Sequence, residues 1–286
     1  MQFANYRLNI LSPLHIGCRR AGMVAKTYHY VPGHVITFAL IAAIGNQKAK
    51  SYDDYSNIQR EVLSKTRFGA AFFQRSNGEN LTDDKDLTYD EQVEKELVYG
   101  DHHVTLSQDT RAAIDGAMFE VEAIYPKKDV YIVGGVWFDS EEIFGRNIKD
   151  WLNEIKIGGE LKTGYGRVSL NNFDTKSKFY PGINNNNNKV DEIGLVIAKN
   201  EVLKGATLDN EATPNCVVKN VPLEPFLGRR YDENRGFGRA LSSAVLVRMN
   251  GIVSADNLHF LPCNNEIGLG CWQLVKKNSK IITIKI

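Results

Sequence analysis

Two stretches of this 286-residue chain end alike. "IGGELKTGYGRV" (157–168) and "FLGRRYDENRGFGRAL" (226–241) both carry the run Gly-aromatic-Gly-Arg. Glycine-rich loops serve several chemistries, and spacing tests them. Gly159 and Gly164 have the separation of a phosphate-binding P-loop, but Tyr165 and Gly166 follow where Lys and Ser/Thr are required. A dinucleotide fingerprint needs its glycines between a strand and a helix. Here a helical pattern precedes the loop and a strand pattern follows, so that reading fails as well. What remains is a loop whose missing side chains let another backbone approach closely. Gly158, Gly159, Gly164 and Gly166 are more than a helix cap and a tight turn require. Amides in such a loop can meet phosphate oxygens, Lys162 and Arg167 add charge, and Tyr165 can offer a face to a base. In the second loop Arg229, Arg230, Arg235 and Arg239 surround Tyr231 and Phe237, against Asp232 and Glu233. Arginines interleaved with aromatics suit a single-stranded nucleic acid.

The overall charge does not make the chain a general polyanion binder. It carries 35 Lys and Arg against 34 Asp and Glu. The charge is uneven, however. Residues 1–52 hold no acid, yet carry Arg7, Arg19, Arg20, Lys26, Lys48 and Lys50, a segment able to face a polyanion. Residues 77–101 hold nine acids against Lys85 and Lys95, and suit solvent or a basic partner protein. Cys18, Cys216, Cys263 and Cys271 are scattered without a CxxC pair, which argues against a zinc site and a disulfide framework. With 43% hydrophobic and 24% charged residues, the chain reads as globular. The absence of a membrane-length apolar run and of a signal-like start leads to the expectation of a cytoplasmic protein with no membrane partner.

Several elements must position these residues. "YRLNIL" alternates with strand period, and "VAKTYHYV" reads as a second extended piece before Pro32-Gly33. "HVITFALIAAIG" predicts a helix, with Gly45 as its C-terminal cap. Residues 46–100 read as an insertion containing a short helix near 56–63 and the apolar piece "FGAAFF". "AMFEVEAIY" (117–125) and "VYIVGGVWF" (130–138), separated by "PKKD", predict an antiparallel hairpin. "DSEEIFGRNIKDWLNEI" predicts the clearest helix, capped by Asp139 or Ser140. The first glycine loop follows, then the strand "GRVSLNNF". Without the insertion the order is strand, helix, strand, strand, helix, strand. That is an α+β, ferredoxin-like (RRM-like) βαββαβ arrangement over 1–175. "FYPGINNNNNKVDE" reads as a linker or loop, and 190–286 as a smaller β-rich domain.

These segments together resemble the RAMP proteins of CRISPR systems. "LNILSPLHIGCRRAG…YHYVPGHVITFALIAAIG" resembles the family's opening strand, its Ser-Pro-Leu-His-Ile-Gly-like turn and its Tyr-x-Pro-Gly turn into a helix. "DTRAAIDGAMFEVEAIY" resembles the middle segment, and "IGGELKTGYGRV" the signature glycine-rich loop. The likeness runs from Met1 to about Phe173. Beyond it, the "GFGR" loop and the β-rich end suggest a second RAMP-like unit. His34 stands where the family's helix usually opens with Ser or Thr.

The resemblance implies a ferredoxin-like fold and assembly on a guide RNA within a CRISPR type III effector complex, as a backbone subunit or the one holding the guide 5′ end. Partners would be the guide RNA, other effector subunits and, in the complex, target RNA. His15, Arg19 and Arg20 then join the two glycine loops as candidate RNA contacts. Some family members process the guide precursor without metal, which needs an acid and a base near a 2′-hydroxyl. His29 and His34 are the candidates here. Backbone subunits of type III complexes cut target RNA with an Asp in the loop after the first helix, helped by a divalent metal such as Mg. Asp53 and Asp54 occupy that region, and no other cofactor is expected. The alternatives are such a ribonuclease and a purely structural assembly subunit that contacts its neighbours and never RNA; binding without cleavage is the favoured expectation.

Overall fold

Strand β1 (Gln2–Ile10) buries every second side chain, Ala4, Tyr6, Leu8 and Ile10. In the computed structural model it is central in the main sheet. The described residues are 1–78, 81, 86–183, 188–191, 193–208, 223–226, 229–232, 236–240, 245–256, 258–264 and 269–275; between 209 and 246, and at 248, only backbone is described.

The chain leaves β1 through the "SPLHIG" turn and forms β2 (Gly17–Ala21) and β3 (Val24–Thr27). Helix α1 (Gly33–Lys48) follows, then α2 (Tyr52–Lys65), β4 (Thr66–Phe68) and β5 (Phe72–Arg75). Helix α3 (Tyr89–Leu97) leads into the long hairpin of β6 (Val98–Leu106) and β7 (Ala113–Ile124). Next come β8 (Val130–Phe138), the short ribbon β9 (Glu142–Ile143) and β10 (Arg146–Asn147), α4 (Ile148–Leu152) and β11 (Val168–Asp174).

The main sheet runs β11-β1-β8-β4, with β5 also on β8, and every pairing is antiparallel. Taking β4 and β5 as the second strand, the core is βαββαβ with sheet order fourth, first, third, second. Apolar residues of α1, α2 and α4, among them Leu40, Ile44, Val62 and Trp151, form one core with Leu8, Ile132 and Phe138. Helices therefore cover one face, as the ferredoxin-like expectation required.

The second strand is not the one the sequence pattern favours. Residues 66–75 fall inside the expected insertion, yet Phe68, Phe72 and Phe73 are buried in the sheet. They occupy the edge of β8 that 117–125 was expected to fill. Strand β7 instead pairs with β6 and, in parallel, with β3. Its first half is exposed, so it has less apolar surface to offer β8 than "FGAAFF". The acidic segment is not outside the core either: Leu81, Val93 and Leu97 are buried in it.

Three local expectations also change. Gly45 is not a cap; a Cβ there would come 2.8 Å from the Tyr55 ring, so it lets α2 approach α1, which runs on to Lys48. The predicted helix over 139–155 begins only at Ile148, capped by Asn147. Before it, Phe144 and Gly145 both adopt positive φ (51° and 75°) and turn the β9–β10 hairpin. Ile143, Ile148, Trp151, Leu152 and Ile155 are nonetheless buried, so the apolar stripe predicted burial better than helix.

The other face of the main sheet is covered by the second half of the chain. That half holds β12 (Asn188–Val190), β13 (Leu195–Ile197), β14 (Val202–Leu208), β15 (Leu223–Phe226), β16 (Arg229–Asp232), β17 (Gly236–Ala240), β18 (Val245–Ile252), β19 (Leu258–Pro262) and β20 (Trp272–Val275). Seven of them form a sheet ordered β12-β13-β19-β20-β14-β18-β15, and β16 pairs with β17. Phe72, Val133 and Trp137 from the main sheet share a core with Leu195, Leu203, Phe260 and Trp272. Tyr180, in the expected linker, joins the halves: its ring stacks on Trp137 at 5.8 Å and its hydroxyl donates to the Ala70 carbonyl at 2.7 Å. A Cβ at Gly135 would lie 2.5 Å from that ring. Thus "VYIVGGVWF" is apolar along its length because both of its faces are buried. No helix among the described residues is long and apolar enough to cross a membrane.

Candidate nucleic-acid interface

The first glycine loop is fastened to the "SPLHIG" turn by backbone. Gly159 donates its N–H to the His15 carbonyl at 2.7 Å, and Gly166 donates to the Pro13 carbonyl at 2.8 Å. The Arg167 amide donates to Ser12 Oγ at 2.9 Å, and Leu11 donates back to the Arg167 carbonyl at 2.9 Å. This docking explains most of the glycine content. Gly158 has φ +86°, and a Cβ there would lie 2.4 Å from the His15 carbonyl oxygen. Gly166 has φ +82°, with Ile157 O at 2.5 Å from its missing Cβ. Gly164 has φ +99° but faces open space. The Gly164 and Tyr165 amides bond within the loop, to Leu161 and Glu160. The expectation that these amides meet phosphate is therefore corrected: those of Gly159, Gly164, Tyr165, Gly166 and Arg167 hold the loop together.

What the loop presents outward is charge. Lys162 and Arg167 are exposed. His15, half-buried, places Nδ1 2.7 Å from the Glu122 carbonyl oxygen. Two residues later β2 begins, with Arg19 and Arg20 exposed along it. Lys26, on the partner strand β3, is ion-paired with Glu122. The bridge between His15 and Gly159 thus brings the start of β2 against the loop carrying Lys162 and Arg167.

Tyr165 offers no face to a base. It is 8% exposed and its hydroxyl donates to the Asp101 carboxylate. Tyr125 donates to the other oxygen of the same carboxylate. The His103 ring lies near Tyr165 at 6.4 Å and stacks on Phe119 at 5.3 Å. Burial alone would raise the Asp101 carboxyl; the two phenol hydroxyls, with His103 and His102 nearby, together outweigh it and hold it below the usual carboxylate range. The same burial, and the carboxylate beside it, push the Tyr165 phenol up. Asp101 and Tyr125 were missed in the sequence. Asp101 was read as one more acid of the 77–101 segment, although in β6 it lies on the same face as His103, two residues on.

The cleavage candidates disperse. Asp54 accepts from the Lys50 and Ser51 amides at 2.9 and 3.0 Å and completes a capping box at the start of α2. Those bonds lower its carboxyl. Asp53 is exposed in the first turn of the same helix. Neither lies in a free loop after α1. His29 faces Asp90, 3.8 Å away, in a cleft of about 730 Å³ that Tyr28, Glu94 and Asn250 also line. His34 lies in the first turn of α1, against Gly270, whose missing Cβ would lie 2.4 Å from the His34 amide nitrogen. Burial lowers its imidazole to about 4. Among the described residues no three His, Cys, Asp or Glu side chains gather as a metal site. In the second loop the backbones of Arg229, Arg230 and Arg239 lie in the β16–β17 hairpin, where Arg230 pairs with Arg239. Arg235 lies outside the described residues.

A search of curated proteins finds no match. Among solved structures, a chain in the cryo-EM structure of the Type III-B Cmr-beta bound to cognate target RNA and AMPPnP superposes with a TM-score of 0.51. The two are 14% identical, over 87% of this chain and 85% of that one. A chain in a second Cmr-beta structure bound to cognate target RNA gives a TM-score of 0.39 at 12% identity, over 59% of this chain and 96% of that one. At 14% identity the first likeness is one of architecture. The RAMP superfamily model matches residues 7–169, more than half of the chain. That span takes in the end of β1 from Arg7, the "SPLHIG" turn, the β6–β7 hairpin and the whole glycine loop, and the chain belongs to the RAMP superfamily.

Proposed function

We propose that this chain is a guide-RNA-binding subunit of a multi-subunit CRISPR type III effector complex. The carrying observation is the docking of the glycine loop on the "SPLHIG" turn. It joins the loop bearing Lys162 and Arg167 to the turn that leads into the strand bearing Arg19 and Arg20. Exposed cations on a backbone held by hydrogen bonds are what phosphate positioning needs, and they read no sequence. Membership of the RAMP superfamily and the architectural likeness to a chain of a target-RNA-bound type III-B complex support the setting. The partners in this reading are a guide RNA, neighbouring effector subunits and target RNA. The second glycine loop, with Arg229, Arg230, Arg235 and Arg239, would add a further contact along the same strand.

Binding rather than cutting is the reading supported by how the acid and base candidates are used. Asp54 caps a helix, and His34 is held neutral by burial. The test is purification of the tagged chain from its own cells, followed by sequencing of bound RNA and identification of bound proteins. The proposal expects short RNAs sharing a constant 5′ end, together with other effector subunits. Recovery of the folded chain without RNA would overturn it.

A further inference from the structure

The RNA-contacting role of the glycine loop leaves one built feature unused. Asp101 sits on β6, not on the loop, yet both of its carboxylate oxygens are occupied by tyrosines. One is Tyr165 of the loop and the other is Tyr125, just beyond β7. We propose that Asp101 is a positioning residue for RNA: by accepting the Tyr165 hydroxyl it locks the glycine loop to the β6–β7 hairpin in its RNA-binding shape. This inference rests on the proposed role of the loop.

The need for a lock follows from the loop's backbone. Gly158, Gly164 and Gly166, together with Glu160 at φ 53°, all adopt left-handed conformations. Glycines reach many other conformations at little cost, so such a loop is easily rearranged. Backbone bonds to Pro13, Ser12 and His15 hold one side of it. On the hairpin side, the anchor is the buried Tyr165 ring and its charge-assisted hydrogen bond to Asp101. The hairpin end of that bond is itself fixed. Tyr125 shares the carboxylate, its amide donates to the Leu97 carbonyl at 2.8 Å, and its ring meets Tyr99 edge-on at 5.5 Å. Holding Lys162 and Arg167 in place before RNA arrives lowers the ordering cost of binding.

Simple electrostatics predicts the opposite sign. A carboxylate beside a polyanion site repels the ligand, so its removal should tighten binding. The experiment measures affinity for a fluorescent single-stranded RNA of mixed sequence at several salt concentrations. It compares the parent, Asp101→Asn, Tyr165→Phe, the double variant Asp101→Asn with Tyr165→Phe, and Lys162→Ala with Arg167→Ala. Losing the lock should weaken binding about tenfold in each lock variant, the order of one hydrogen bond to a charged group. The double variant should be no weaker than Tyr165→Phe alone, which already removes the bond whose charge assistance Asp101→Asn takes away. The salt slope should match the parent, because no phosphate contact is lost. Amide exchange over 158–166 should accelerate while the thermal midpoint stays within a few degrees.

Unchanged or tighter binding by Asp101→Asn, or additive losses in the double variant, would overturn the inference. Tyr165→Phe tests the same bond from the loop side without touching charge. If the lock variants have no effect but the Lys162 and Arg167 pair does, the positioning role alone fails. If the lysine–arginine pair also has no effect, the RNA reading fails and takes this inference with it.

Discussion

A Cβ on Gly158 would lie 2.4 Å from the carbonyl oxygen of His15. The glycine is therefore required by the turn it packs on, as well as by its own φ of +86°. Two alanine substitutions separate these causes. Gly164→Ala carries only the conformational penalty, because nothing stands within 4 Å of its missing Cβ, and should cost about 1 kcal/mol. Gly158→Ala adds a clash with backbone and should cost about 3 kcal/mol or more. Urea unfolding of both variants measures the difference; equal losses would refute the close approach.

The acidic segment should prove indispensable. Replacing residues 77–101 by a Gly/Ser linker removes Val93 and Leu97, which are buried in the main core. Cooperative unfolding should disappear. By contrast, Glu94→Gln, on the exposed side of α3, should leave stability within about 0.5 kcal/mol. Circular dichroism during thermal unfolding distinguishes the two.

The halves of the chain should not separate. A chain ending at residue 175 would expose Phe72, Val133 and Trp137, which now pack under Tyr180 and Trp272. It should aggregate when expressed alone. In the full chain, Tyr180→Ala should cost about 3–5 kcal/mol, because the ring is fully buried and its hydroxyl is bonded. A soluble, monomeric 1–175 fragment with a cooperative transition would contradict this.

His34 gives the fold a specific pH dependence. Its folded imidazole titrates near 4 rather than 6.5, so folding excludes a proton that the unfolded chain binds. Stability is full above pH 6.5 and falls as pH drops from 6.5 towards 4. The loss by pH 4 should be about 3 kcal/mol from this group. His34→Gln should remove that part of the slope between pH 7 and 4.5. Parallel stability profiles for the two proteins would show that His34 is not the source.

Much of the architecture is legible in the sequence where one physical signal dominates. β1 shows a two-residue period because one of its faces packs under helices. The first helix, though not its end, and the strand after the glycine loop are read correctly for similar reasons. The errors come where tertiary competition decides. "FGAAFF" is too short and uniform to show a period, yet wins the edge of β8 because it is the more apolar strand. "DSEEIFGRNIKDWLNEI" has a helical stripe, but Phe144 and Gly145 turn the chain before the helix begins. At the interface, the aromatic and glycines of "GYGR" suggested contacts with RNA. The chain's own tight approach uses Tyr165 and Gly166 of that run, and Gly158 before it. The exposed Lys162 and Arg167 were readable as cations. Asp101 was not distinguishable among nine acids, since only the fold brings Tyr165 to it.

The central claim is that exposed cations on the docked glycine loop hold RNA phosphates. The most direct measurement is the salt dependence of RNA affinity for the parent and for the Lys162→Ala, Arg167→Ala double variant. Each lost phosphate contact to a single strand should reduce the magnitude of the slope of log affinity against log salt by about 0.7, so by about 1.4 for the pair. The account predicts that reduced slope with weaker binding to every RNA sequence tried. The same slope and affinity in both proteins would contradict it.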